Sequence, residues 1–156
     1  MTTVHLIRHA KAKNRLEWEQ PDRLRPLTKR GRREADAIAA RLEGEGVSRL
    51  VASPYVRCLQ TLEPLAVSLD LAIETTELLA EGADGAAATD LLLLLSGAGV
   101  VACCTHGDVL FDVLAHLGAR GVGPDGPRDA PVASTWVLEL EDGVVVAARF
   151  VAQPPR

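Results

Sequence analysis

The sequence predicts a three-layer α/β/α sandwich, with a mainly parallel sheet and an antiparallel edge strand from a C-terminal hairpin. Short apolar runs that read as buried strands alternate with longer stretches of helical spacing, the pattern of a parallel sheet covered on both faces. Three of these runs stop abruptly on polar side chains: 4–7 on Arg8-His9, 50–52 on Ser53, and 100–104 on Thr105-His106-Gly107. Near the C-terminus, 136–140 and 144–147 flank Glu141-Asp142-Gly143, a hairpin signal.

Taken in order, the first strand ends at Arg8-His9, where open α/β sheets place their ligands. Residues 10–26 hold Pro21, Pro26 and many charges without a period, so they read as a loop able to lie over that strand end. Trp18 within it is a packing anchor in preference to a substrate contact. Thr28 is a plausible N-cap, with Ala35, Ile38, Ala39 and Leu42 at helical spacing and a stop at Gly44 and Gly46. The second strand, 47–52, leads to Ser53, and Pro54 suits the first turn of the helix carrying Arg57. A weaker strand, 72–75, precedes a helix over 86–95 whose run 91–95 is apolar all round, so it is well covered or faces a partner. After the strand ending at His106, a helix over 109–117 stops at Gly118, and 120–133 is a loop.

Bulk properties narrow the function. A chain of 156 residues is expected to be one domain with room for a real core. Apolar content is 47% against 3% aromatic, so the core is aliphatic. A net charge of −4 gives no case for nucleic acid or membrane as partner. No signal peptide is read at the N-terminus, and the three cysteines lack framework spacing; both point to the cytoplasm. Cys103 and Cys104 are neighbours on a strand and face opposite ways, so with His106 they make no zinc site, and no metal or other cofactor is expected. Ten of the seventeen Lys and Arg residues fall in the first 33 positions, a basic rim suited to an anionic substrate.

Three strand ends thus bring two histidines and two arginines toward one point, and that set suits one phosphate group. The Arg8-His9 pair, the unit Ser53-Pro54 with Arg57, and the late His106-Gly107, in that order and each at a strand end, resemble the histidine phosphatase superfamily. That family includes the phosphoglycerate mutases and the SixA-type phosphohistidine phosphatases. The resemblance runs from Val4 to about Phe150 and departs at Ala10, where the family usually has glycine. It implies His9 as a nucleophile that forms a phosphohistidine, with Arg8, Arg57, His106 and Gly107 binding phosphate. His106 also belongs to the catalytic set as a donor to the transferring group. It further implies a general acid after the third strand. Glu81 is the candidate, and Asp84 the alternative. His5, inside a strand, and His116, on a helix, are expected to be structural.

Substrate class stays open between two likenesses. The overall size is that of SixA-like phosphatases, which implies a phosphohistidine protein. The stretches 22–27, 57–65 and 134–138 are closer to the histidine-phosphatase half of actinobacterial MutT-type Nudix hydrolases, which implies a nucleotide or small phosphorylated metabolite. A phosphate-binding regulatory module without strong catalysis is the alternative from a different class.

Overall fold

The computed structural model describes residues 2–155. Its sheet has six strands in the order β3-β2-β4-β1-β5-β6. These are β1 (Thr2–Arg8), β2 (Val47–Ala52), β3 (Ile73–Thr75), β4 (Val100–Thr105), β5 (Thr135–Glu141) and β6 (Val144–Val151). β3, β2, β4 and β1 run parallel, whereas β5 pairs antiparallel with β1 and carries β6 at the edge. The helices are α1 (Lys29–Leu42), α2 (Val56–Leu69), α3 (Gly85–Leu95) and α4 (Gly107–Ala119). Among the described residues no helix is long and apolar enough to cross a membrane.

Strand alternation builds the two outer layers. Val4, Leu6, Val101 and Cys103 point to one face and pack with Leu92, Leu110, Val113 and Leu114 of α3 and α4. Ile7, Ala102 and Cys104 point to the other, against Ala35 and Ile38 of α1 and Leu62 and Leu65 of α2. Cys103 and Cys104 therefore lie on opposite faces, and no group of three or more His, Cys, Asp or Glu able to hold a metal occurs among the described residues.

Local signals account for the element ends. Thr28 accepts from the Gly31 amide, the N-cap bond that starts α1. A Cβ on Gly31 would lie 2.1 Å from the Lys11 carbonyl oxygen, so only glycine lets the 10–26 loop lie this close to α1. Asp142 and Gly143 have φ of 52° and 76°, the paired left-handed residues of a tight hairpin turn. Two expectations shift. Helix α2 starts after an N-cap at Tyr55, so Pro54 precedes it instead of sitting in its first turn. Helix α4 starts at Gly107 and not at 109, with His106 as its N-cap residue. Leu94 is 79% exposed, so the 91–95 run is covered on only part of its circumference.

Candidate active site

Register brings the three polar strand ends level. Arg8 pairs with Thr105, and Ala52 with Cys104. One residue on, the His9 amide donates to the Thr105 carbonyl at 3.1 Å and the Ser53 amide to the Cys104 carbonyl at 3.0 Å. His9, Ser53 and His106 therefore emerge side by side at the C-terminal edge of β1, β2 and β4. His9 and His106 border a cleft of about 930 Å³ that Arg8, Gly107 and Glu81 also line, whereas Ser53 is fully buried.

His9 is buried, and its Nδ1 lies 2.9 Å from the Ala10 carbonyl oxygen. A carbonyl only accepts, so Nδ1 carries the ring proton and Nε2 keeps its lone pair. Burial pushes the His9 pKa down to about 3; the bond to Ala10 opposes this, and the charges of Arg57, Arg8 and Arg25 add to it. The ring is thus neutral at physiological pH. His106 meets it edge-on with centroids 5.4 Å apart. Burial and the neighbouring His9 and Arg57 push the His106 pKa down to about 2. Its Nε2 is 2.9 Å from Ser53 Oγ, which also accepts from the Tyr55 amide. Nδ1 of His106 is buried with no partner among the described residues.

Arg8 crosses the start of α4. A Cβ on Gly107 would lie 2.9 Å from the Arg8 Cζ, so the glycine makes room for the guanidinium at the amides of the helix N-terminus. Nη1 of Arg8 donates to the Ala130 carbonyl, while Nε has no partner among the described residues. Gly107→Ala is expected to push Arg8 out of place and lower turnover about tenfold or more, with the melting temperature little changed. Steady-state kinetics and thermal unfolding of the variant check this.

Arg57 is placed differently from the others. It is fully buried and does not line the cleft. Its Nη1 donates to the Asp22 carbonyl at 2.9 Å, and Nη2 to Asp22 Oδ2 at 3.0 Å and Glu81 Oε2 at 3.3 Å. Nε of Arg57 is buried without a partner among the described residues. Burial alone would raise the Asp22 pKa, but the hydrogen bond from Arg25 and the charge of Arg57 outweigh it and hold the carboxyl at about 2. Glu81 is gripped on its other side by Arg15, at 2.8 Å. Asp84 accepts from the Ala86 amide as the N-cap of α3 and does not line the cleft.

Several supporting residues carry no signal in the sequence. Asp22 and Arg15 come from the 10–26 loop, whose irregular sequence gives no clue to its path. Thr61 accepts from the Ala10 amide at 3.0 Å and donates to the Arg57 carbonyl, tying the two halves of the site together. The Ala133 amide is shared by the Arg8 and His9 carbonyls, both at 3.1 Å, and Ala133 adopts φ 64° to do so. Ala10 is fully buried and is not among the positive-φ residues, so the missing glycine leaves the backbone unstrained. Trp18 is held by its own loop, donating to the Pro21 carbonyl at 3.1 Å. His5 and His116 are not among the residues lining the cleft.

Comparison with known proteins places this geometry in context. The chain is 40% identical over 157 residues to the 8-oxo-(d)GTP phosphatase of Mycolicibacterium smegmatis, an alignment covering 97% of the chain and 48% of that protein. The chain therefore spans about half the length of this curated relative. The structure of the protein histidine phosphatase SixA bound to tungstate superposes with a TM-score of 0.77 at 24% identity, covering 97% of this chain and 95% of that one. A mycobacterial glucosyl-3-phosphoglycerate phosphatase superposes with a TM-score of 0.71 at 14% identity, covering 97% and 98%. A family model matches residues 4–88, from within β1 through the Arg8-His9 pair, Arg57 and Glu81, and by that match the chain belongs to the histidine phosphatase superfamily, branch 1.

Proposed function

We propose that the chain is a phosphatase that passes the phosphoryl group of a small anionic substrate through His9. The observation that carries this reading is the state of His9: a neutral ring, its proton fixed on Nδ1 by the Ala10 carbonyl, its Nε2 lone pair free at the cleft. Nε2 attacks phosphorus, and the bond from phosphorus to the leaving oxygen breaks. Glu81 gives that oxygen its proton. Water then attacks the phosphohistidine, Glu81 takes the proton back, and the N–P bond opens to release phosphate. Charge gathers on the three non-bridging oxygens, and Arg8, the Nδ1 of His106 and the Gly107 end of α4 are placed to meet it. Arg57 adds its unpartnered Nε, with its fork held by Asp22.

Glu81 is preferred to Asp84 as the acid because Glu81 lines the cleft and Asp84 is committed to its cap. A nucleotide is the favoured substrate class. The relative named as an 8-oxo-(d)GTP phosphatase supports it, and so do the cleft's volume, its loop cations Lys11, Lys13 and Arg15, and the exposed Phe111 ring on its wall. A phosphohistidine protein is the second reading, supported by the likeness to SixA.

Turnover of an activated aryl phosphate tests the activity itself. Hydrolysis should proceed unchanged in a chelator and be inhibited strongly by vanadate, which resembles five-coordinate phosphorus. Loss of rate with the chelator, restored by a divalent ion, contradicts the reading. Across a panel of nucleotides, sugar phosphates and a phosphohistidine protein, kcat/KM should be highest for a nucleotide.

A further inference from the structure

We infer that Asp108 is a positioning residue for Glu81: it fixes the peptide that aims the acid at the leaving group. The inference rests on the reading of Glu81 as general acid. Glu81 sits in a four-residue turn closed by the Ala83 amide donating to the Ala80 carbonyl at 2.9 Å. Gly82, third in that turn, has φ 81°, which marks the type II form. The type I alternative would turn ψ of the second residue, here Glu81, by about 150° and flip the central peptide. The turn's own hydrogen bond does not use the Gly82 amide, so it does not choose between the forms. The choice falls to Asp108, whose Oδ2 accepts from the Gly82 amide at 2.8 Å.

Asp108 is well placed for this task. It lies in the first turn of α4, two residues after His106, on the helix that begins beside the phosphate donors. The bond therefore ties the acid's backbone to the same rigid element that carries the oxyanion contacts. Among the described residues the Glu81 carboxylate itself is held by Arg15 and Arg57, both of which also pair with Asp22 of the 10–26 loop. Asp108 has a second effect, since its charge acts on the Arg8 guanidinium. Asparagine separates the two, keeping an acceptor for the Gly82 amide while removing the charge.

The test compares kcat/KM on an alkyl phosphate, which needs a proton on its leaving oxygen, with an activated aryl phosphate, which hardly does. Asp108→Ala should lower the alkyl rate roughly tenfold more than the aryl rate. Asp108→Asn should bring the alkyl-to-aryl ratio back close to wild type. In a Glu81→Ala background, Asp108→Ala should add no further alkyl-specific loss, because the two act as one unit. Equal losses on both esters in Asp108→Ala, while Glu81→Ala alone is alkyl-selective, overturn the inference and leave Glu81 in its role. An asparagine variant as alkyl-selective as the alanine variant overturns it too, since an intact acceptor then fails to hold the turn. A Glu81→Ala enzyme without alkyl selectivity removes the underlying reading and the inference with it.

Discussion

Replacing His9 with alanine is expected to abolish measurable turnover while leaving a folded protein. Removing a nucleophile from a concerted set costs on the order of 10⁴–10⁶ in rate. The structural cost is small, because His9 lies one residue beyond β1 and belongs to neither hydrophobic cluster. What the fold loses is one hydrogen bond to the Ala10 carbonyl and an edge-on contact with His106, about 1 kcal/mol in all. Steady-state assays with thermal unfolding of the same samples check both halves. A variant that unfolds, or one that retains a substantial fraction of wild-type rate, contradicts the assignment.

Arg57→Ala is expected to be nearly as damaging to rate and more damaging to stability. Loss of one preorganised donor to the transferring group costs about 10²–10³ in kcat/KM. Alanine also leaves the Asp22 and Glu81 carboxylates without the buried guanidinium they share. Breaking a fully buried pair costs about 3–5 kcal/mol, and the partial exposure of both carboxylates brings the expected loss nearer 2 kcal/mol. The pairing has a pH signature. Asp22 is held at about 2, below its ordinary 3.8, so its contribution is present above about pH 4 and disappears as pH falls toward 2. Arg57→Ala should remove part of that acid limb, the hydrogen bond from Arg25 keeping the rest, as read from midpoints of urea unfolding across pH 2–5. Arg57→Lys should restore part of the stability and little of the rate, because a single ammonium cannot reproduce the fork.

The parts of the molecule legible from sequence are those written in local pattern. Buried strands announce themselves as short apolar runs, so β1 and β4 and the residues just past them could be placed. The hairpin was equally plain, since Asp142-Gly143 is a sequence for two left-handed residues. Register then did the rest, setting His9 and His106 side by side. What stayed hidden depends on tertiary approach. Nothing in residues 10–26 shows that Asp22 folds back onto Arg57, or that Arg15 reaches Glu81, since the loop has no period. The Arg8 guanidinium that Gly107 makes room for is equally hidden, because a sequence does not show which side chain needs the space. Ala133 gave no sign at all: only the structure shows an alanine held in a left-handed conformation to serve the Arg8 and His9 carbonyls.

The covalent step on His9 is tested most directly by trapping the phosphorylated protein. The protein would be mixed briefly with substrate labelled in the phosphoryl group, quenched in alkali, digested and mapped. Phosphate on nitrogen is labile in acid and stable in base, so the label should survive the quench, leave on acidification and map to the His9 peptide. His9→Ala should carry none. Label on any other residue, or label that survives acid as a serine or threonine ester would, contradicts the account.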